Sequence, residues 1–446
     1  MQKSCKKCLT LHLDMNQKDK DILAIAVPSI VSNITVPLLG LVDVTIVGHM
    51  GNAAYIAAIA VGSMIFNVIY WIFGFLRMGT SGMTSQAYGR QRLDEVVDLL
   101  VRALAVGVGI GLVFVAGQSV LKWTALELMQ PTADIAVFTS AYFDICIWGA
   151  PAVLGLYSLT GWYIGMQNTR LPMLVSIFQN VVNIAASLVF VYLFGMKVEG
   201  VAFGTLTAQY AGFLAALLFL RKRYREALVH VSLRALRDAA AMMRFFTVNR
   251  DIFLRTLFLV AVNLFFTAAG AKQGAVVLSV NTLLFQLFTL YSYVMDGFAY
   301  AGEAIGGKYF GARNQAAFDD TVSCLFRWGL ALTLFYTLLY LVAGEPFLRL
   351  LTDEPEVVDC SKEYILWAVA IPLAGMGAFY WDGLYIGMTA TRGMLSSTFT
   401  GAAVFFTVHF SLFPLLGNHA LWLALILYLV SRGVVQTVLF RRYRNG

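Results

Sequence analysis

Charged residues are scarce in this chain, and their scarcity excludes a soluble fold. Asp, Glu, Lys and Arg make up only 13% of the 446 residues, whereas hydrophobic residues make up 59%. A soluble protein carries about 25% charged residues. The apolar runs are long enough to cross a bilayer, which takes roughly 20 residues each. They lack the apolar–polar alternation of membrane β-strands, so we predict a polytopic helical membrane protein.

Cysteine and histidine are also rare, with five of each. Cys5 and Cys8 form the stretch "CKKC" with His12 nearby, which is one ligand short of the four that a structural zinc site needs. We therefore interpret this stretch as a reduced cytosolic tail. No span contains a cluster of His, Asp or Cys ligands, and His409 is alone in its span. These absences argue against a membrane-embedded enzyme, and we predict no cofactor and no metal site.

Twelve apolar segments predict twelve spanning helices. They lie near 22–48, 53–76, 95–121, 135–164, 171–194, 200–221, 250–271, 275–300, 318–344, 360–386, 393–416 and 419–440. The boundaries divide the chain into an N-lobe (22–221) and a C-lobe (250–440), with polar tails at 1–21 and 441–446. The first tail has no apolar h-region, so we do not expect a cleaved signal peptide.

The positions of lysine and arginine set the expected orientation. Most of the 32 basic residues lie at the termini and in one set of loops. The opposite loops hold only Lys122, Lys197, Lys272, Arg349 and Lys362. Basic residues are retained on the cytoplasmic side, so we expect both termini in the cytoplasm of a bacterial inner-membrane protein. Basic charge that follows loops in this way does not indicate a nucleic-acid partner.

The segment between the lobes, residues 222–249, differs from the other loops. It is too charged to span a bilayer, and its apolar and basic residues alternate at helical spacing. This pattern predicts an amphipathic helix that lies on the cytoplasmic surface in contact with membrane lipids.

The two lobes are related by an internal repeat. "GWYIGMQNTR" (161–170) matches "GLYIGMTATR" (383–392) at seven of ten positions with an offset of 222, and the same offset aligns Gly89 with Gly311. A repeat of six spans gives both lobes one orientation, related by a pseudo-two-fold axis along the membrane normal. The predicted fold is therefore all-α, with twelve transmembrane helices in two pseudo-symmetric six-helix lobes. The cleft between such lobes suits transport by alternating access.

A lone carboxylate lies in the first span. Asp43 is the only charged residue between Ile22 and Val47, and the repeat aligns it with Phe265. A charge at bilayer depth costs at least ~2.5–3.5 kcal/mol, so such a residue is expected to face a cavity and to mark an ion route. Desolvation favours the neutral carboxyl group, which suits Asp43 to load a proton outside and release it inside. Pro37 lacks an N–H, so the helix is expected to bend there. The alternative is a structural aspartate that only forms hydrogen bonds.

The C-lobe has its own intramembrane carboxylates, Asp296, Glu303 and Asp382. The repeat aligns none of them with another acidic residue. Arg255, in the seventh span, is the expected counter-charge. Two interpretations stay open: a buried cluster of ion pairs that stabilises the lobe, or a second site for a proton or a substrate cation.

Six strings in the spans are specific enough to suggest a family. They are "NITVPLLGLVDVTIVGH", "LRMGTSGMTSQAYG", "NRDIFLRT", "MDGFAYAGEA", "WDGLYIG" and "LGNHALWLAL". With them the chain resembles the multidrug and toxic compound extrusion (MATE) transporters, in the branch named for the DNA-damage-inducible protein F, over nearly its whole length. The resemblance implies a monomeric exporter of small amphipathic or cationic compounds, driven by H⁺ or Na⁺, rather than an enzyme.

The resemblance also implies site residues. Asp43 takes the place of the family's coupling carboxylate, which faces polar groups of the fifth and sixth spans. The corresponding or neighbouring residues here are Asn180, Asn183, Ser187 and Thr205. Tyr142, in the fourth span, is a further candidate for lining this cavity. The family usually has a second aspartate at the position of Ser187, and its absence favours protons over sodium as the coupling ion.

A flippase for lipids or polysaccharide precursors is the alternative within the wider superfamily fold. Such a protein is expected to line its cleft with basic residues that hold a pyrophosphate. The mid-membrane charges here are mostly acidic. The sequence therefore favours a secondary active multidrug antiporter, with a sodium-coupled exporter as the nearest alternative.

Overall fold

The computed structural model describes residues 17–48 and 52–444, apart from the side chains at positions 36–39 and 41. Cys5, Cys8 and His12 lie outside the described residues. The twelve long helices are α1 (Gln17–Gly48), α2 (Ala53–Gly89), α3 (Leu93–Ala116), α4 (Ala133–Gly165), α5 (Arg170–Leu193), α6 (Val198–Arg223), α7 (Ala239–Ala271), α8 (Ala275–Gly311), α9 (Gln315–Leu351), α10 (Pro355–Gly387), α11 (Thr391–Leu416) and α12 (Asn418–Arg444). All except α1 are long and apolar enough, over their described residues, to cross a membrane. The 32 residues of α1 extend about 48 Å, which is also sufficient. The predicted helical membrane fold is confirmed.

Four of these helices depart from regular α geometry. A turn at Gly74 interrupts α2 between Ala53–Phe73 and Phe75–Gly89. A 3₁₀ turn at Ile147–Gly149 interrupts α4, and a π turn at Val189–Leu193 ends α5. A second π turn, Gly302–Gly306, lies within α8 and carries Glu303. Turns of π type are rare and are found frequently at functional sites, so the geometry of α8 singles out this carboxylate.

The segment between the halves is not the single amphipathic helix predicted over 222–249. It contains one short helix at Arg225–Leu228 and a 3₁₀ turn at Leu233–Leu236, and α7 already begins at Ala239. The prediction is wrong because Asp238 starts a new helix, its carboxylate accepting a hydrogen bond from the Ala241 amide at 3.0 Å. Hydropathy alone could not detect this cap.

The internal repeat is visible in the backbone. Gln91 and Arg313, which lie 222 residues apart, both adopt left-handed φ angles, 59° and 54°. Gln167 and Thr389 have the same separation and φ angles of 63° and 54°. Residues other than glycine rarely adopt this conformation. Its occurrence at matched positions shows that the same two turns are built once in each half.

Glycines of the shared motif permit the same close helix contact in both halves. A Cβ at Gly161 would collide with the Arg77 carbonyl oxygen, and a Cβ at Gly383 would collide with the Ala299 carbonyl oxygen. These two contacts are equivalent under the offset of 222. The motif therefore serves as scaffold, since a larger residue at either glycine would separate two packed helices.

The two halves meet along α1 with α8 and along α2 with α7 and α8. We call the end of the bundle that carries Lys18, Lys308 and Arg444 the basic end. Among the described residues, the hydrogen bonds that join the halves lie between the middle of the bundle and this end. Gly89 packs against the Lys308 carbonyl there, and Gly311 packs against the Gln86 carbonyl. The basic end is therefore closed, and the pseudo-two-fold axis passes through the contact.

The first turn of α1 also binds across the halves. Asp19 Oδ1 accepts hydrogen bonds from Cys324 Sγ at 2.9 Å and from Trp328 Nε1 at 3.0 Å, both on α9. Lys18 Nζ donates to Asp320 Oδ2 at 2.6 Å. These contacts fasten the start of the N-terminal half to the C-terminal half, so they must break if the basic end opens.

A cysteine at position 19 tests this closed arrangement. We expect Asp19→Cys, in a background whose other cysteines except Cys324 are serine, to form a disulfide with Cys324 on mild oxidation in membranes. The reason is that Asp19 Oδ1 lies 2.9 Å from Cys324 Sγ, so the side chains at the two positions point toward each other, as the two cysteines of a disulfide must. Mass spectrometry of the linked peptides is the measurement. The product must vanish when Cys324 is also serine, and a folded variant that never cross-links would contradict the closed basic end.

Candidate functional site

A central cavity of about 300 Å³ lies between the two halves, above the closed basic end. Helices α2, α4, α7, α8 and α10 form its wall. Its charged lining residues are Arg77, Arg255, Asp296, Glu303 and Asp382. The structure therefore brings the four C-lobe residues predicted from the sequence to one cavity, and it adds Arg77 from the other half.

Asp382 is bound entirely within its own half. Its Oδ2 accepts hydrogen bonds from Arg255 Nη2 and, at 2.6 Å, from Arg432 Nη2, while Oδ1 accepts one from Gln436 Nε2 at 2.6 Å. All four side chains are buried. Two guanidinium groups and one polar donor thus compensate the desolvation of this buried carboxylate.

Glu303, in contrast, pairs across the halves. Arg77 Nη1 lies 3.3 Å from Glu303 Oε2, and Ser81 Oγ donates a hydrogen bond to the same oxygen at 2.5 Å. Ser81 and Glu303 are 222 residues apart, so they are equivalent positions of the repeat and meet at the pseudo-two-fold axis. The Arg77 guanidinium also lies over the Tyr300 ring, 4.1 Å from its centroid, in a cation–π contact.

Sequence reasoning missed Arg77 as the partner of Glu303. Hydropathy ended the second span at residue 76, so Arg77 was assigned to a cytoplasmic loop. The structure continues α2 to Gly89. The repeat offered a signal, because its offset aligns Glu303 with Ser81 in that supposed loop, only one turn from Arg77.

Asp296 faces the central cavity without a hydrogen bond to either arginine. It lies in the electrostatic fields of Arg77 and Arg255 and close to Glu303 and Asp382. The cavity floor thus combines three carboxylates with the guanidinium groups of Arg77, Arg255 and, behind Asp382, Arg432. Because Glu303 and Asp382 already have arginine partners, Asp296 is the carboxylate that remains available to a positively charged group.

The second candidate site surrounds Asp43 in the N-terminal half. The Asp43 side chain is only 5% exposed, and its Oδ1 has no hydrogen-bond partner. Tyr142 and Cys146 of α4 are near enough to interact with it electrostatically. The Tyr142 hydroxyl lies 3.5 Å from Ser63 Oγ. A buried carboxylate oxygen without a donor is costly, so this site is incomplete without a proton, a water or a cation.

Polar residues of α5 connect α1 with α6 in the same half. Asn183 Nδ2 donates to Thr205 Oγ1 at 3.1 Å, and Asn180 Nδ2 donates to the Thr35 carbonyl at 2.8 Å. Asn183 Oδ1 and Ser187 Oγ are buried without partners. The structure therefore places Asn183, Ser187 and Thr205 at the contact between α5 and α6 and Asn180 against α1. Three buried oxygens described in this half have no hydrogen-bond partner.

The equivalent place in the C-terminal half is aromatic instead of polar. The offset of 222 puts Phe265 at the position of Asp43, and Phe405 and His409 at the positions of the two unpaired α5 side chains. The Phe265 ring lies 5.0 Å from the His409 ring and 5.9 Å from the Phe405 ring, measured between centroids. Since these positions contact one another in one half, the repeat indicates that the polar side chains face one another in the other half.

Pro37 lies within α1, which is a continuous helix from Gln17 to Gly48. Its side chain is outside the described set, so the bend expected at this proline stays a prediction. Nearby, Asn33 Nδ2 donates to the Tyr293 carbonyl of α8 at 3.1 Å. The middle of α1 is thus bound to the other half, while its outer part carries Asp43.

Comparison with known proteins gives one consistent result. The MatE family model matches residues 28–212 and 252–411. DNA damage-inducible protein F of Escherichia coli (strain K12) is 35% identical over 435 residues, which cover 97% of this chain and 94% of that protein. A probable multidrug resistance protein NorM of Shewanella oneidensis is 24% identical and covers 93% of both chains. A crystal structure described as MATE in the bent conformation superposes with a TM-score of 0.83 at 16% identity, over 96% of both chains. The last likeness supports the twelve-helix, two-lobe fold.

The Arg77–Glu303 ion pair is expected to contribute measurably to the thermal stability of the protein. We expect Glu303→Gln and Arg77→Gln each to lower the melting temperature of the purified protein, because removing one partner of a buried ion pair costs roughly 3–5 kcal/mol. The double variant should lose much less than the sum of the two single losses, since neither charge is then left unpaired. Thermal unfolding in detergent is the measurement.

Asp359→Asn is the control for this cycle. Asp359 pairs with Lys362 at 2.8 Å on the exposed surface, where such pairs contribute little. It should therefore leave the melting temperature nearly unchanged. Strictly additive losses from Arg77→Gln and Glu303→Gln would show that the two side chains do not stabilise each other.

Proposed function

Because the chain belongs to the MatE family of membrane transporters, we propose that it is a proton-driven antiporter that exports amphipathic and cationic organic compounds by alternating access. In this proposal the protein acts as a monomer in the bacterial inner membrane, with both termini and the basic end in the cytoplasm. The observation that carries it is the buried Asp43 carboxylate, whose Oδ1 has no partner while its repeat equivalent is a phenylalanine.

A proton is the ion that fits the chemistry around Asp43. Protonation removes the charge whose burial is costly and converts a carboxylate oxygen into a donor. Asn183 Oδ1 and Ser187 Oγ are buried acceptors without partners, so one added O–H group can satisfy one of them. Loading a proton from outside is then favourable, and its release on the cytoplasmic side completes the cycle.

The substrate class follows from the central cavity. Its lining includes the rings of Tyr70, Trp71, Tyr157 and Tyr300, which can stack on a flat apolar molecule. Asp296 offers the carboxylate that is free of arginine hydrogen bonds. A cavity with aromatic walls and one carboxylate that has no arginine hydrogen bond suits an amphipathic cation, whereas a pyrophosphate-bearing lipid would need the arginines that Glu303 and Asp382 already occupy.

Alternating access requires the basic end to open. The contacts of Asp19, Lys18 and Glu303 across the halves must then be exchanged for others. A bend of α1 at Pro37 would move Asp43 relative to α5 without moving the first turn of the helix, since proline removes one backbone hydrogen bond there. Protonation at Asp43 and the shape of α1 are linked in this way.

Sodium is the second candidate ion, because three unpaired oxygens in the N-terminal half also suit a small cation. Only one of the three, Asp43 Oδ1, belongs to a carboxylate. Hard cations in proteins are bound mainly by carboxylate and carbonyl oxygens, so a single carboxylate with an amide and a hydroxyl group favours the proton.

The role of Asp43 is tested by Asp43→Asn in proteoliposomes. We expect the variant to fold and to bind a fluorescent cation such as ethidium, but to lose export driven by an imposed pH gradient, because the amide cannot bind and release a proton near neutral pH. Asp144→Asn is the matched control, since Asp144 is a partly exposed carboxylate of the same half that pairs with Lys122 at 2.8 Å. Gradient-driven export by Asp43→Asn at the wild-type rate would rule out this role.

The coupling ion is tested by adding the missing carboxylate at Ser187. We expect a pH gradient alone to drive export by the wild type, and we expect Ser187→Asp to make export respond to a sodium gradient, because two carboxylates can bind Na⁺ where one does not. Ser187→Asn matches the size without the charge and should not respond to sodium. A wild type that already requires sodium would show that the proton assignment is wrong.

A further inference from the structure

A continuous polar stripe runs along α5 toward the middle of the molecule. Ser176, Asn180, Asn183 and Ser187 are spaced by three or four residues, so they lie on one face of the helix. Over this distance α5 rises about 16 Å. Such a stripe is unusual in a helix that crosses a membrane, where polar residues face the bundle interior or water. It leads from the Asp43 site toward the basic end.

The end of the stripe nearer the basic end is joined to α1 by two hydroxyl groups. Thr35 Oγ1 lies 2.8 Å from Ser176 Oγ and 2.7 Å from the Ser32 carbonyl oxygen. A hydroxyl group has one hydrogen and can accept others. In one arrangement, Thr35 donates its hydrogen to the Ser32 carbonyl and accepts one from the Ser176 hydroxyl. In the other, Thr35 donates to Ser176, and Ser176 donates its own hydrogen to a further acceptor. Two interchangeable hydrogen arrangements are what a proton relay requires.

A second cavity reaches this hydroxyl pair at Ser176. It has a volume of about 170 Å³, and Ser32, Ser176 and Gln179 belong to its lining. A space of this size and polarity can hold several waters. Its far wall is formed by Arg77, Tyr157 and Tyr300, which also line the central cavity. The two cavities therefore adjoin at Arg77, the partner of Glu303.

We propose that the Thr35–Ser176 hydroxyl pair and the adjoining second cavity carry protons between Asp43 and the Arg77–Glu303 pair. The proposal rests on the proton-driven antiport described above and assigns the path that the proton takes. A proton leaves the Asp43 carboxyl group, each hydroxyl or water accepts one proton and passes on another, and the Glu303 carboxylate receives the last. Asp43 ends ionised, Glu303 ends neutral, and the relay groups are unchanged.

The consequence is that a proton loaded at one site weakens the contact between the halves at the other. A neutral Glu303 no longer pairs with the Arg77 guanidinium, so the basic end loses the ion pair at its centre. The charged groups that face Glu303 are Arg77, Arg255, Asp296 and Asp382, and Tyr300 is the neighbouring titratable ring. The groups that face Asp43 are Tyr142 and Cys146.

The other half supports this assignment because it lacks the relay. The offset of 222 puts Leu257 at the position of Thr35 and Thr398 at the position of Ser176. Thr398 Oγ1 donates to the Met394 carbonyl of its own helix at 3.0 Å. The half without a carboxylate at the Asp43 position thus also lacks a hydroxyl pair at the positions equivalent to Thr35 and Ser176, although its helices are built in the same way.

Removing either hydroxyl group tests the relay. We expect Thr35→Val and Ser176→Ala, reconstituted in proteoliposomes with an internal pH dye, to show proton flux coupled to ethidium transport that is slower by about tenfold or more, because a positioned proton-transfer group contributes roughly 10²–10⁴-fold. Equilibrium binding of ethidium should be unchanged, because neither hydroxyl group lines the central cavity. Ser176→Thr keeps the hydroxyl group and should restore the flux.

Thr398→Val is the matched control, since it removes a buried hydroxyl group at the equivalent position of the other half. It should leave the flux at the wild-type value. Wild-type flux in both Thr35→Val and Ser176→Ala would overturn the relay and leave the antiport proposal standing. A wild-type protein that moves no protons with ethidium would overturn the antiport proposal and the relay together. A slow Ser176→Thr variant would assign Ser176 to packing and also overturn the relay.

Discussion

The structure depends on one ion pair that joins its two halves, Arg77 with Glu303. Both side chains are buried beside the pseudo-two-fold axis, and Ser81 supplies a further hydrogen bond to the same carboxylate. An ion pair in such a place is costly to desolvate and costly to break from one side only. The central contact between the halves is therefore sensitive to the ionisation of Glu303. The glycine contacts around it provide close packing and carry no charge that a proton could change.

The repeat gives both halves the same backbone and leaves their chemistry different. The matched turns at Gln91 and Arg313 show that the two halves share the same backbone conformation there. Within that frame, the outer part of the N-terminal half holds Asp43 and unpaired polar oxygens, whereas the C-terminal half fills the equivalent place with aromatic rings around Phe265. The three central carboxylates, Asp296, Glu303 and Asp382, likewise belong to the C-terminal half, and Arg77 meets them from across the cleft. The proposed ion site and substrate site are thus separated in space, and communication between them needs a physical path.

The sequence predicted the parts of this arrangement that leave a periodic or isolated signal. Hydropathy revealed the twelve helices, and the repeat offset related the lobes. Intramembrane carboxylates pointed to Asp43, which the structure buries, and to Asp296, Glu303 and Asp382, which line one cavity. The cross-lobe partner Arg77 was missed, because a charged residue at the end of an apolar run looks the same in a loop and in a buried helix. The linker was wrong for a related reason: the cap at Asp238 depends on one hydrogen bond, which periodicity does not encode. Contacts across a cleft are set by tertiary packing and have no local signature.

The magnitudes agree with a single proton acting on a single ion pair. A proton that enters down a potential of 100 mV releases ~2.3 kcal/mol, and each pH unit adds ~1.4 kcal/mol. Removing one partner of a buried ion pair costs roughly 3–5 kcal/mol. The free energy released by the entry of one proton is therefore of the size needed to release Arg77 from Glu303. If a monovalent cation leaves in exchange for that proton, the electrical contributions cancel over the full cycle. The membrane potential can then still act on the step that opens the basic end, provided that proton entry and cation exit occur in different steps. A relay between two separate sites allows this division, which a single shared carboxylate could not.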